Sequence, residues 1–418
     1  MLLIAVLSPA QAARPAGAGL PSPMKYELYP YRPAASPASV VASSDGTARF
    51  TVLTDCMIRM ERTATPGSFE DRPSLAFVNR FLPETPKFTA SEAGGVLTIT
   101  TAALKLTYTV GAPFAAGTLG VVSTEPKSAF ERWQPGDTSG ADPGNLLGTF
   151  RTLDRVKVLD LNCSTAGAGR EWYPEHCAFG LVSRSGWALV DDSQGPVLDS
   201  EDWWADADGA PYSRRGVVDW YLLAHGHAYK QALRDYSLVG GSVPLIPRWA
   251  HGVWWTRWYN FASVDVREAV ESFEAHSMPL DVFVLDMNWH KKDSWTGYSF
   301  DRSLLPFPED LLGVLRRKGL HVGANLHDAE GVGAFEDAFP QVAERMGLPA
   351  GAAKAPLDLA NRTFVEALED AVLLPLEDAG ISFWWTDWQQ GEAAGGLPGG
   401  ALNPTIVLNK IRSTDRKR

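Results

Sequence analysis

Cysteine is scarce in this 418-residue chain: Cys56, Cys163 and Cys177 are the only three. Three scattered thiols cannot build a disulfide framework, and their spacing matches no zinc site. A Cys163–Cys177 bridge in an oxidising compartment and three free thiols are the two readings left open. Long apolar runs are missing as well, and no stretch approaches the ~18 residues of a membrane span. Positive charge is in short supply: 38 Lys+Arg stand against 49 Asp+Glu, a formal net charge of -11. That balance speaks against nucleic acid and anionic lipid as partners.

What is present describes a folded, multidomain chain. Hydrophobic residues make up 45% and charged residues 21%, the mixture of a globular protein. The length exceeds what one core ordinarily holds. Fifteen tryptophans offer flat apolar faces with one N–H each, suited to stacking on sugar rings as well as to filling cores. The start, MLLIAVLSPAQAARPAG, places small residues after a short apolar run with no preceding Lys or Arg. Residues 1–22 therefore read as a degenerate signal peptide, which would point to the secretory pathway or the extracellular space, or as an Ala/Pro tail.

From residue 23 to 240 the pattern is that of short strands. Phe50 and Val52 alternate, and Ile58 and Met60 alternate with Arg59 and Glu61. Leu104, Leu106 and Tyr108 alternate with Lys105, Thr107 and Thr109, and further strands are expected at Trp187–Val190 and Val217–Leu223. Turn chemistry such as Pro135-Gly136-Asp137 separates them. An antiparallel sandwich buries one face of each such strand. A helix over about Ala228–Leu238 leads into the linker Gly240-Gly241-Ser242-Val243-Pro244.

Beyond Pro247 the period changes. Apolar runs at His251–Trp255, Asp281–Met287, Leu320–Leu326 and Ile381–Thr386 alternate with helical segments. One helix is capped by Ser263, with Val266, Val270 and Phe273 on one face. A second starts at Pro308, with Glu309 and Asp310 as helix-start charges, and ends before Gly319. A third runs from Arg362 to Gly380 and is kinked at Pro375. Strands separated by helices imply parallel βαβ units. A doubly wound sheet with a nucleotide role needs a Gly-rich turn after its first strand. Trp254-Trp255-Thr256-Arg257-Trp258 stands there instead, so a barrel is favoured.

Each run ends in polar groups: Arg257 and Trp258, then Asp286 and Asn288, then Asn325, His327 and Asp328, then Asp387. In a parallel barrel these ends lie on one face, where active sites are built. A carboxylate directly after Phe383-Trp384-Trp385-Thr386 is hard to explain as packing, because a buried unpaired charge costs several kcal/mol. Carboxylates among aromatics suit glycosidic cleavage through an oxocarbenium-like centre. Asp286 has a structural rival reading as an ion-pair partner of Arg257. His327 is read as a further sugar contact, with a hydrogen-bonded structural histidine as its rival. His290-Lys291-Lys292-Asp293 is expected to be a solvated loop.

From Pro247 to about Lys410 the chain resembles glycoside hydrolase family 31, the family of α-glucosidases, α-xylosidases and relatives. The resemblance rests on PRWAHGVWWTRWYNF, PLDVFVLDMNWH, GLHVGANLHDAEGV, FWWTDWQQG and LNPTIVLNK, and upstream on DSQGPVLDSEDWW. It implies an N-terminal β-sandwich (23–240) followed by a (β/α)8 TIM barrel (247–418), of which about the first four βα units are present. It implies Asp387 as nucleophile, Asp286 as the hydroxyl-binding carboxylate, and Trp258 and Trp385 lining the subsite of the reacting sugar. The substrate implied is an α-linked oligosaccharide or glycoside, with no metal or organic cofactor. Trp388-Gln389-Gln390 replaces the Met-Asn-Glu of many members, and Asn288 a second Asp. The family's general acid, an Asp on a later strand, has no match: only Glu392 and Asp415 follow Asp387, so the chain alone is expected to be inactive. A non-catalytic carbohydrate-binding homologue and an α-glucan lyase are the other readings.

Overall fold

The structure, a computed structural model, describes residues 32–147, 179–206, 212, 216–243, 245–291, 294–387 and 404–414. Cys163, Cys177 and the 1–22 segment lie outside them.

The N-terminal part contributes ten strands: β1 (Val40–Ala42), β2 (Ala48–Thr54), β3 (Met57–Thr63), β4 (Thr89–Ala93), β5 (Val96–Thr100), β6 (Leu104–Thr109), β7 (Leu119–Ser123), β8 (Arg132–Trp133), β9 (Ala188–Asp191) and β10 (Val217–Leu223). They form two antiparallel sheets, one ordered β1-β2-β3-β10-β9 and one β4-β5-β6-β7-β8. Phe50, Val52, Ile58 and Met60 from the first meet Ile99, Leu106, Tyr108 and Val121 from the second in one buried cluster. This is a β-sandwich, and the alternating apolar residues face inward as period-two patterning requires.

The first sheet is buried on its other face too. Helix α1 (Tyr229–Gly240) packs there, and Phe77, Tyr221, Leu223 and Val239 form a second cluster. Arg59 and Glu61, read from alternation as solvent-facing, are therefore buried at 1% and 0% exposure. They are neutralised locally: Arg59 donates to both Asp219 oxygens at 2.8 and 2.7 Å, and its guanidinium lies 3.0 Å from Glu61. A charge without water is tolerated only when paired in this way.

After the linker the remaining elements are β11 (Trp254–Arg257), α2 (Ser263–Ala275), β12 (Val282–Leu285), α3 (Pro308–Arg317), β13 (His321–Leu326), β14 (Val332–Gly333), α4 (Phe339–Met346), β15 (Lys354–Ala355), α5 (Arg362–Ala367), α6 (Leu374–Ala379), β16 (Phe383–Thr386) and α7 (Pro404–Thr414). Strands β11, β12, β13 and β16 pair in that order, all parallel, and they are the four parallel strands among the described residues. Phe283, Leu285, Val322, Ala324 and Leu326 point to one face and pack on Val266, Leu311, Leu315, Leu368 and Leu408 of the helices. The architecture is thus a β-sandwich joined to parallel βα units of the TIM-barrel type.

Three local details differ from the pattern read in the sequence. The first parallel strand begins at Trp254, because Arg248–His251 closes into a 3-10 turn. Helix α2 begins at the expected cap, Ser263, so the cap position moves back to Ala262, whose N–H the Asp265 carboxylate accepts at 2.8 Å. The kink assigned to Pro375 is taken up upstream, where Leu368–Leu373 form a π-helical turn between α5 and α6. The wider turn makes room for a ring that would otherwise clash with the carbonyl four residues earlier.

The other face of the parallel sheet carries Trp254 and Thr256, Val282 and Val284, His321, Gly323 and Asn325, and Phe383 and Trp385. At its N-terminal end Trp249 stacks on His321 with ring centroids 4.1 Å apart and lies 5.6 Å from Phe383, which in turn meets Trp254 at 5.2 Å. Gly323 sits under this aromatic floor. A Cβ on it would come within 2.3 Å of the Phe383 ring, so only glycine lets the ring lie flat across β13. Gly323→Ala is expected to displace Phe383 and to destabilise the fold by about 1–3 kcal/mol, the usual cost of overpacking. The urea midpoint measures it; an unchanged midpoint would show that the floor is loosely packed.

Candidate active site

Strand register decides which side chains meet. Arg257 pairs with Leu285, Leu285 with Ala324, and Ala324 with Trp384. One residue further on, Trp258, Asp286, Asn325 and Trp385 stand abreast on the open face, since successive side chains alternate. Two residues beyond Asn325 and Trp385 come His327 and Asp387, again on that face. All five side chains picked out in the sequence therefore share one parity and sit at the C-terminal ends of four neighbouring strands.

Asp387 directly follows β16, and its N–H continues the ladder to the Leu326 carbonyl at 3.1 Å. Its side chain is 23% exposed and faces the His327 Nε2 at 3.4 Å. Asn325, buried at 1%, donates from Nδ2 to Asp387 Oδ2 at 2.8 Å. His327 is buried, and the Trp295 ring lies over it with centroids 4.4 Å apart. One carboxylate oxygen is thereby held by a neutral amide beside an imidazole, while the group keeps access to the open face.

Asp286 is half-buried and accepts the Met287 N–H at 2.7 Å, capping the short turn Met287–Trp289. Among the described residues it has no ion pair with Arg257, whose guanidinium lies over the Tyr259 ring at 4.7 Å. The Asn288 amide donates to the Asn260 side chain, tying the loop after β11 to the loop after β12. Trp258 and Trp385 are 73% and 38% exposed. Indoles left that open are not core residues, and a flat ligand can lie on them.

Beneath this face lies a set of contacts that sequence reading missed, and Asp328, expected on the open face with Asn325 and His327, belongs to it. Asp328, fully buried, accepts from the Tyr298 hydroxyl at 2.8 Å and from both terminal nitrogens of Arg412 at 2.9 and 3.0 Å. Burial, reinforced by the Asp328 charge, raises the Tyr298 hydroxyl well above its ordinary pKa, so it stays a donor. Glu336 accepts from the Ser299 hydroxyl at 2.6 Å and the Tyr298 N–H at 3.1 Å, and burial raises its carboxyl above the usual range. Trp289 donates its indole N–H to the Asn325 carbonyl at 2.9 Å. The partners lie up to 84 residues apart in sequence, and no local periodicity marks them.

His290, expected in a solvated loop, is buried at 5% exposure against Trp289, and Lys291 pairs with Asp337. Lys292, Asp293, Trp388-Gln389-Gln390, Glu392 and Asp415 lie outside the described residues. Among the described residues no group of His, Cys, Asp and Glu is arranged to hold a metal ion, and no helix is long and apolar enough to cross a membrane.

Comparison with known proteins bears on the fold that carries these residues. Residues 243–399 match the Glycosyl hydrolases family 31 TIM-barrel domain. The chain is 27% identical over 239 residues to the alpha-xylosidase XylQ of Lactiplantibacillus pentosus, a stretch covering 56% of this chain and 27% of that protein. It is 34% identical over 107 residues to alpha-glucosidase 2 of Bacillus thermoamyloliquefaciens, covering 26% of this chain and 13% of that one. The chain thus spans only about a quarter or less of the length of these curated relatives. Among solved structures, a family 31 dextranase of Flavobacterium johnsoniae complexed with glucose shares the fold, with a TM-score of 0.55 at 17% identity over 86% of this chain and 48% of that one. On these matches residues 243–399 resemble the TIM-barrel domain of glycoside hydrolase family 31.

Proposed function

We propose that the open face at the ends of β11, β12, β13 and β16 is the sugar-binding and nucleophile side of a retaining α-glycosidase site. Its substrates would be α-linked glucosides, xylosides or related glycosides. The observation that carries the reading is the Asp387 carboxylate, partly open, with one oxygen fixed by Asn325 at 2.8 Å. An immobilised carboxylate is what attack on an anomeric carbon needs, because the charge is aimed before the cation develops. In this reading Asp387 displaces the leaving group to give a glycosyl ester, and water then hydrolyses the ester with net retention. Asp286 accepts hydrogen bonds from two hydroxyls of the same sugar, and Trp258 and Trp385 stack on its ring. Asn325 and His327 keep the carboxylate oriented.

The retaining reaction also needs an acid about 5–5.5 Å from the nucleophile to protonate the leaving oxygen. No Gly-Asp-Thr segment follows Asp387 in the sequence. A fair test of Asp387 therefore uses a leaving group that needs no proton. The α-xylosyl and α-glucosyl fluorides carrying a second fluorine at C5 meet that need: fluoride departs unaided, and the second fluorine slows hydrolysis of the ester. Incubating the full chain with each, followed by peptide mass spectrometry, should place one sugar on the peptide containing Asp387. Asp387→Asn should give no adduct and an unchanged melting temperature, since an amide lacks the charge to attack. An adduct on another residue, or equal labelling of the variant, would refute the nucleophile assignment.

Asp286→Ala should raise the half-saturating fluoride concentration by about tenfold or more, the worth of one charge-assisted hydrogen bond of ~1.5 kcal/mol. If the variant unfolds while its folded fraction labels normally, Asp286 serves the turn it caps and not the sugar.

A further inference from the structure

Helix α7 follows β16 in the chain and packs on the helix side of the sheet, with Val407, Leu408 and Ile411 buried to 1% exposure or less. Lys410 reaches Asp202 of the N-terminal part at 2.6 Å. Two residues on, the Arg412 guanidinium enters the sheet between two strand ends. Its terminal nitrogens grip Asp328 at 2.9 and 3.0 Å, one of them also donates to Thr386 Oγ1 at 3.1 Å, and its Nε lies 3.5 Å from Glu369. Burial works against this cation, but Asp328 and Glu369 outweigh it and hold the guanidinium charged.

The neighbours of the gripped residues give this contact its meaning. Asp328 follows His327, and Thr386 precedes Asp387. Successive side chains point to opposite faces of a strand. A group that spans 328 and 386 on the helix side therefore sits directly behind the 327 and 387 pair on the open side. We infer that Arg412 is a positioning residue: it clamps the ends of β13 and β16 so that the Asp387 carboxylate is held against His327 and Asn325. A planar fork suits this task because it can serve a carboxylate and a hydroxyl on different strands at once, whereas an ammonium acts as a single point. The span also explains why a threonine, and not a purely apolar residue, ends the run Phe383-Trp384-Trp385. The purpose assigned to the clamp rests on the nucleophile reading of Asp387, but its geometry does not.

Two variants of the full chain test it. Thr386→Val is nearly isosteric, leaves the Arg412–Asp328 pair intact and removes only the link to β16. Arg412→Lys keeps a cation beside Asp328 and Glu369 but cannot span both strands. Each is followed by the covalent labelling rate with the C5-fluorinated glycosyl fluorides, the half-saturating concentration, the melting temperature, and exchange of the Asp387 N–H that donates to Leu326. The saturating rate is expected to fall about tenfold in Arg412→Lys and by a smaller factor in Thr386→Val, because small misplacement of an attacking group is costly. Half-saturation should stay within about twofold, since Asp286, Trp258 and Trp385 are untouched, and the Asp387 amide should exchange faster in both variants. Lower melting temperatures with wild-type labelling rates would reduce Arg412 to a structural staple and overturn the inference. If the wild-type chain takes no label, the nucleophile reading fails, and the amide decides the clamp alone: faster exchange sustains it, unchanged exchange overturns it.

Discussion

The hydrogen-bonded register of the parallel sheet puts Trp254, Val282 and His321 abreast, and two residues further on Thr256, Val284, Gly323 and Phe383. Everything else in this half of the molecule follows from the two-residue repeat that this register imposes. Residues of one parity pack against helices, and residues of the other parity line the open face. A slip of one residue in any strand would exchange the two sets. The aromatic floor of Trp249, His321 and Phe383 therefore does more than fill space. Stacked rings across three elements lock the register two layers below the carboxylates, where an error would be most damaging.

Charge is handled differently on the two sides of the sheet. On the open side the Asp387 carboxylate meets a neutral amide, Asn325, and the His327 imidazole. On the helix side Asp328 and Glu369 are buried and share one guanidinium. The sandwich uses the second arrangement as well, with Arg59 between Asp219 and Glu61. Such pairs add little stability over an apolar core of the same volume, yet removing one partner is severe. They serve best where several strands must keep one spacing.

The sequence was legible where one physical signal dominates. Burial on one face shows as alternation, so β6 was found with its inward residues, and β10 was found with its bounds. Gly319 and Gly380, both at positive φ, mark helix ends because glycine alone adopts that conformation without strain. The five side chains of the open face could be picked out because each lies within an apolar run or within three residues of its end. Residues that depend on packing between distant elements could not. Arg59 and Glu61 look solvent-facing until α1 covers their side of the sheet. His290 sits in a charged tetrapeptide that reads as loop, and it is buried only because Trp289 and the Phe300 segment fold over it. Arg412 lies in a basic C-terminal stretch, and no spacing rule connects it to Asp328.

The π-helical turn at Leu368–Leu373 has its own consequence for how this chain can change length. Such a turn holds more residues than a regular one, so the helix on its far side is rotated by about 100° for each extra residue. That rotation sets the direction of Glu377, which accepts the Trp384 indole N–H at 2.6 Å. Loss of a single codon here would leave a smooth helix and an intact hydrophobic count, the kind of change that sequence comparison treats as trivial. It would nonetheless swing Glu377 off the Trp384 indole. Insertions and deletions in α5–α6 are therefore constrained by angle and not by length, and a descendant gene could shorten this segment only by whole turns.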